Sequence, residues 1–568
     1  MQGFKRYIYI LSCLFCILTL SACSSDDFVA GSDIAIDEPR QEVDAHFQLQ
    51  LDLSGTSNGD KRTKVTRTAS TLPGIDPDEN RITSITLFVV DANTSNEPIW
   101  GTAKHTVLPI LSGTISGTTG SLEMGIKTTL GKKLIYVGAN MSTAQITDFC
   151  TSGGKYTSSK NTYKGVIDEF VDLNGRGIVM FGQLKGESTP GTYDVPIFNI
   201  TGSTDKDNPI ETGVELNRVV SKVAFTYTAD ENLGEGYAQL AEEVTGGFIK
   251  AANIHFMLNN TSKSIDFVGG LDNTFSNFRM GDYLIHSTNV TSENPRLYSY
   301  RKTPIPDFMI YTPIGHVFDQ DGTFFNTGSL DIPYNLDNSN PPKDNPYFYS
   351  DPIDKYKGTT NAGKHWHYNS SLYCLENTVT TAGLPDTPAE IIDMRHGINT
   401  KVVVAAKYTP HSIWYLDGTA LEYYDPVAGT SATDIEAMIT TLTGDGTFCA
   451  VRSVDGTGEV TYVYYTENAA KHVQELPSDN PNFVDESKID RYDRGYGYYA
   501  TFITQPKLDN PVEMANDENY NLRRNNYYIL NATYFTPPGA VYPQDLYILV
   551  NSVSTKWSEG KTTNIIVD

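Results

Sequence analysis

His46-Phe47-Gln48-Leu49-Gln50-Leu51-Asp52-Leu53 sets large apolar side chains at 47, 49, 51 and 53 with polar ones between most of them. That is the period-two alternation of a β-strand with one buried face. The pattern then stops. Ser54-Gly55-Thr56-Ser57-Asn58-Gly59-Asp60-Lys61-Arg62 reads as a solvated loop, and Arg67-Thr68 follows in equally polar company. A core strand is thus tied to the body by sequence that an arginine-specific protease is expected to reach.

The 568-residue chain exceeds what one hydrophobic core usually serves, so two domains after a leader are expected. Charged residues make up only 20%, Thr, Ser, Asn, Gly and Tyr abound, and all-β is the expected class. Asp plus Glu 68 against Lys plus Arg 43 gives a formal charge of -25, spread along the chain. Such a surface repels polyanions, which argues against nucleic acid as a partner.

At the N-terminus Lys5-Arg6 precede an apolar run over 7–20, too short to span a bilayer, and Leu20-Ser21-Ala22-Cys23 closes it. The tetrapeptide resembles a lipobox, so residues 1–22 read as a lipoprotein signal peptide and Cys23 as the lipidated, acylated first residue. The alternative is an ordinary signal peptide with Cys23 incidental. Residues 24–45 are small and acidic, as suits a tether. Of six cysteines, Cys13 and Cys16 leave with the leader, and Cys150, Cys374 and Cys449 remain in the body. Three scattered cysteines make no framework: a Cys374–Cys449 bond and buried free thiols both stay open.

Short apolar runs bounded by Gly, Ser, Asn or Thr predict strands over 81–91, 122–127, 133–140, 178–182 and 193–200, at a spacing expected of a sandwich. Residues 214–227 read as one long alternating strand opening a second domain. Further strands are expected over 371–378, 399–408, 497–503, 527–535 and 545–557, with a last apolar stretch at 564–567. Only 143–150 and 163–170 look helical, and 331–369 reads as long surface loop.

The chain carries no Gly-rich phosphate loop and no HExxH; its CxxC, Cys13-Leu14-Phe15-Cys16, lies in the leader, and its Gly-x-Ser-x-Gly, Gly55-Thr56-Ser57-Asn58-Gly59, lies in the polar loop rather than at the strand-to-helix turn an elbow needs. His365-Trp366-His367 offers two imidazoles but no third ligand, and Asp319-Gln320-Asp321-Gly322 begins like a calcium loop but has Leu330 where the bidentate Glu belongs. The tyrosines of 493–499 can stack on a sugar or pack across strands, and packing is the commoner use. No catalytic constellation, metal site or cofactor is expected, and the protein reads as a non-enzyme.

The lipobox, the strand over 46–53 and the Arg67-Thr68 junction are followed in order by Asn80-Arg81-Ile82, Tyr136-Val137-Gly138-Ala139-Asn140 and Leu216-Asn217-Arg218-Val219-Val220-Ser221-Lys222-Val223. Tyr373-Cys374-Leu375-Glu376-Asn377-Thr378 and Arg523-Arg524-Asn525-Asn526-Tyr527-Tyr528-Ile529-Leu530-Asn531 come next. In this order and spacing the chain resembles the fimbrillins, pilus subunits of Bacteroidales type V fimbriae, over most of its length. The resemblance implies two tandem transthyretin-like β-sandwiches with few short helices, over 68–212 and 213–545, after a lipidated pro-segment over 23–67.

It also implies a precursor that reaches the outer membrane on its lipid and matures into a surface fimbrium supporting adhesion to a host or bacterial receptor. An arginine-specific protease would cut between Arg67 and Thr68, or as second choice between Arg62 and Thr63. The segment bearing Phe47, Leu49, Leu51 and Leu53 would leave, and a neighbouring subunit would fill the groove. The donor is expected within 546–568, where Tyr547, Leu549, Val553 and Trp557 share a face interrupted by Asn551 and Thr555. Whether that stretch donates or 564–567 does stays open. Partners are then other copies and other fimbrial subunits, head to tail. A tip or accessory subunit and a monomeric surface glycan-binding lipoprotein are the alternatives.

Overall fold

Strand β1 (Glu42–Asp52) lies inside a nine-stranded sheet. The others that matter are β2 (Ser84–Ala92), β3 (Pro98–Pro109), β4 (Thr119–Thr129), β5 (Gly131–Ala139), β6 (Met180–Lys185) and β7 (Ile210–Glu215). Their order is β3-β2-β5-β6-β7-β1-β4. The computed structural model describes residues 41–52, 77–110, 119–160, 162–185, 197–241, 246–271, 278–279, 309–310, 349, 351–357, 368–380, 399–454, 460–503, 520–540, 550–556 and 562–565. Residues 43–568 form one compact unit; of the other, residues 1–42, only Gln41 and Glu42 are described.

β1 begins earlier than its apolar pattern predicts. Val43 and Ala45 point inward with Phe47, Leu49 and Leu51, so 42–45 are strand and the expected tether ends before them. Small inward side chains carry little periodic signal. The predicted strand over 81–91 begins only at Ser84, because Arg81 and Thr83 are held by Asn140.

β2 is buried on both faces. Ile85, Leu87 and Val89 face one core with the inward residues of β1, β4, β5, β6 and β7, while Phe88 and Val90 face a second with Tyr136, Phe149 and Phe181. That second core takes in helices α1 (Thr143–Thr151) and α2 (Tyr163–Ile167), whose N-caps Ser142 and Thr162 accept from backbone N–H groups. It also takes in Val219, Val220, Ile265, Phe267 and Leu375 from further along the chain.

The stretch 214–227 is not one strand. Residues through Glu215 belong to β7, Asn217–Arg218 pairs with β6, and β8 (Val220–Tyr227) joins a different sheet. All eight residues of β8 are buried, so the expected alternation is absent. β8 lies beside β9 (Ser371–Leu375), antiparallel, and β10 (Asn526–Ala532), parallel. β10 pairs antiparallel with β11 (Val550–Lys556), which pairs with the terminal β12 (Thr562–Ile565).

A third sheet contains the paired strands β13 (Lys401–Thr409) and β14 (Tyr496–Phe502). Between them the chain leaves to build an inserted α/β module. Its strands are β15 (Ile413–Asp417), β16 (Ala420–Tyr424), β17 (Phe448–Val454), β18 (Val460–Tyr465) and β19 (Ile489–Tyr492), in the order β16-β15-β18-β17-β19. Its helices α3 (Ala432–Thr443) and α4 (Glu467–Glu475) are absent from the sequence expectation, which gave only the two near 143 and 163. Ile413, Phe448, Ala450, Tyr492, Ile435 and Ile439 fuse the module to the main core. The fold is all-β with several sheets and few short helices.

Candidate functional site

The slot held by β1 is the first element of the site. On one side β1 pairs in parallel with β7, from Phe47 opposite Ile210 to Asp52 opposite Glu215; on the other it borders β4. Further toward its start, His46 N–H donates to Thr204 Oγ1 at 2.7 Å and Thr204 N–H to Asp44 O at 2.9 Å. On the outer face Gln48 donates to Ser121, and the His46 ring lies 3.7 Å from Glu123.

Phe47 and Leu49 are wholly buried and Leu51 and Val43 nearly so, against Met124, Ile126, Val214 and Leu216. Four such side chains at about 1.5 to 3 kcal/mol each hold the strand with about 6 to 12 kcal/mol of burial. That rivals the net stability of an ordinary domain, about 5 to 15 kcal/mol. A vacated slot would therefore expose a row of apolar pockets flanked by two ladders of backbone groups, and an incoming strand with matching alternation satisfies both.

Leu53, the arginine–threonine junctions Arg62-Thr63 and Arg67-Thr68, and the lipidation candidate Cys23 lie outside the described residues. So do Tyr547, Leu549 and Trp557 of the donor expectation, His365-Trp366-His367 and Asp319-Gln320-Asp321-Gly322. Val553 stands in β11 opposite Ile529, so 550–556 is a strand of the chain's own sheet, paired on both sides. The last apolar stretch overlaps β12, which ends the sheet.

A second element was not legible: the landmarks scattered along the sequence meet. Glu79, in the 3-10 turn Pro77–Asn80, is fully buried. Its carboxylate accepts from Lys222 Nζ at 2.6 Å and from Tyr373 Oη at 2.6 Å. The Lys222 ammonium lies 5.7 Å from the Tyr373 ring centroid and 5.3 Å from that of Tyr527, within cation–π range. Arg218 donates to Glu79 O at 3.4 Å, to Asn80 Oδ1, and to Asn525 Oδ1 at 3.4 Å. Asn525 donates on to Asn217 Oδ1 at 2.7 Å. Burial lowers the Arg218 guanidinium to about 10, with Glu79 and Tyr373 opposing the shift, and burial raises the Tyr527 phenol.

Beside it a second buried pair joins Arg524 Nε to Glu376 Oε2 at 2.6 Å. Arg524 also donates to Phe267 O at 3.2 Å and Asp266 O at 2.5 Å, and its guanidinium lies where any side chain on Gly270 would stand. Burial raises the Glu376 carboxyl, and Arg524 pulls it back.

Tyr496, Tyr498 and Tyr499 are buried, so these tyrosines of 493–499 pack rather than present a stacking face. Cys374 and Cys449 are buried free thiols and Cys150 a half-buried one. Burial raises all three, Cys449 to about 11. Among the described residues no group of three or more His, Cys, Asp or Glu side chains is arranged to hold a metal.

No family model and no curated protein matches the sequence. Solved structures do. A fimbrilin (fimA) from Porphyromonas gingivalis W83 is similar over 92% of this chain and 98% of its own, at 12% identity and TM-score 0.33. The tip fimbrial protein Mfa3 from Porphyromonas gingivalis with C-terminal truncation is similar over 90% and 100%, at 11% identity and TM-score 0.28. A fimbrial assembly protein from Parabacteroides distasonis ATCC 8503 is similar over 92% and 100%, at 9% identity and TM-score 0.29.

Proposed function

We propose that this chain is a structural subunit of a surface fimbria, made as a lipoprotein precursor and polymerised by strand exchange. One observation carries the reading: β1 is an interior strand supplying five inward side chains, yet it ends directly before polar, arginine-containing sequence. An interior strand with an expected cut site at its back is a plug that can be removed.

Cys23 holds the precursor at the outer membrane, and cleavage between Arg67 and Thr68, or between Arg62 and Thr63, frees β1 with its lipid. The loss of about 6 to 12 kcal/mol of burial makes the open slot costly, so it fills with a strand of equal pattern from the C-terminal region of another copy. β12 ends its sheet and leaves by breaking one ladder, whereas β11 would break two. A head-to-tail contact of this kind does not close on itself and propagates as a filament, whose adhesive role follows from its surface position.

The pairing of β11 on both sides favours one second reading, a tip or accessory subunit that accepts a strand and gives none. Two experiments test the proposal. N-terminal sequencing of the surface protein after arginine-specific proteolysis should give a start at Thr68 or Thr63; a start only at Cys23 with no assembly counts against it. Deleting residues 546–568 should abolish elongation for a stalk subunit, whereas a tip subunit lacking them still caps fibres.

A further inference from the structure

We propose that Glu79 is the anchor that keeps β2 in the body once β1 has been cut away, an inference that rests on the maturation reading above. After a cut at either arginine–threonine junction, everything ahead of the turn Pro77–Asn80 becomes a free chain start. β2 begins four residues after that turn. Its Ile85, Leu87 and Val89 face the core that β1 completes, so departure of β1 uncovers the apolar surface that holds β2's inner face.

The hold on Glu79 is of another kind. Its partners include Lys222 on β8, Tyr373 on β9 and, through its carbonyl, Arg218; Tyr527 on β10 flanks the ammonium. None of these residues lies on β1, and none packs in the core that β1 shares. The carboxylate is fully buried and its ion pair dry, so sliding the chain start outward would strand an ammonium in the interior. The apolar grip on β2's inner face thus falls when the plug leaves, while the polar grip stays whole and joins the β3 and β5 ladders and the second core around Phe88 and Val90 in keeping the exchanged element to a single strand. The same anchor joins β2 of the accepting sheet to β8 and β10, and β10 is the neighbour of β11 in the sheet that ends in β12. One carboxylate is therefore seated between the end that accepts and the sheet that gives.

Hydrogen exchange of the Ser84–Ala92 amides, followed in the full chain before and after arginine-specific proteolysis, tests this. The wild type is compared with Glu79→Gln and with the milder Tyr373→Phe, which keeps the ion pair and decides the matter should the first not fold. The anchor predicts that the acceleration caused by each substitution is at least tenfold greater in the cut chain than in the uncut one. It also predicts that fibre yield from the cut variants falls, Tyr373→Phe less than Glu79→Gln, and that Glu79→Gln with Lys222→Met regains part of it. Equal acceleration before and after the cut would show a merely structural pair and overturn the anchor while leaving the fimbrial reading intact. A wild type that is never cut within 53–76 overturns both.

Discussion

Lys222 closes on Glu79 at 2.6 Å with the two side chains 2% and 0% exposed, so β8 grips the turn that precedes β2 across 143 residues of sequence. Removing one member of such a pair is costly because the other has already given up its hydration. Lys222→Met should lower the unfolding free energy of the uncut chain by about 3 to 5 kcal/mol. Adding Glu79→Gln should return a good part of that loss, read from urea unfolding of the single and double variants.

Glu376 and Arg524 give a dependence on pH. Burial raises the Glu376 carboxyl and Arg524 opposes that, so Arg524→Met raises it further. A carboxyl raised in the folded state binds its proton more tightly there than in the unfolded chain. Its favourable contribution is complete below the unfolded value and is lost as pH rises through the folded one. Arg524→Met should therefore be destabilised at neutral pH and recover toward the wild type as pH falls to about 5. Melting temperatures of both proteins across that range check the sign; a deficit that widens on acidification would refute it.

Asn140 stands at φ 59, a conformation Asn tolerates better than most residues. Its side chain accepts from Thr83 N–H at 2.8 Å and donates to Arg81 O at 2.7 Å and Ile178 O at 2.8 Å. Asn140→Asp keeps the acceptor and loses both donors, and should cost about 2 kcal/mol or more in thermal unfolding. Asn140→Ala adds backbone strain and should cost more.

In β1, Leu49 is fully buried and has no polar duty. Leu49→Ala should destabilise the uncut chain by about 2 to 5 kcal/mol. Substitution of the exposed Gln50 should stay within about 0.5 kcal/mol. Parallel denaturation curves on the two variants measure the contrast.

Thiol labelling of the native protein, mapped by peptide mass, should mark Cys150 before Cys449 and Cys374. Cys150 is half-buried, whereas Cys374 lies in the main core and Cys449 is 6% exposed with its thiol at about 11. Cys374 should react only under denaturant.

What the sequence disclosed depended on side-chain size and period. Phe47, Leu49 and Leu51 announced β1, but Val43-Asp44-Ala45 looked like tether because its inward residues are small. α3 carries Ile435, Ile439 and Leu442 at helical spacing and a Ser431 cap accepting from Asp434 N–H, yet its threonines weaken the signal. The break between Arg218 and Val220 is invisible to periodicity, since the chain changes sheets without a proline or a polar run. Glu79 sat in Asp76-Pro77-Asp78-Glu79-Asn80, acidic sequence that reads as surface. Only the arrival of Lys222 and Tyr373 makes it interior, and no local pattern encodes that meeting.

The module between β13 and β14 departs and returns on adjoining strands, Lys407 standing opposite Tyr496. Its sheet lends one side to the main core through Ile413, Phe448 and Tyr492, while Tyr423 and Val463 remain exposed on other positions. Because neighbouring residues of a strand face opposite ways, selection can rewrite the outward positions without disturbing the inward ones. Substitutions at Tyr423 and Val463 are therefore expected to cost little stability, while those at Ile413, Phe448 and Tyr492 would loosen the module from the main core.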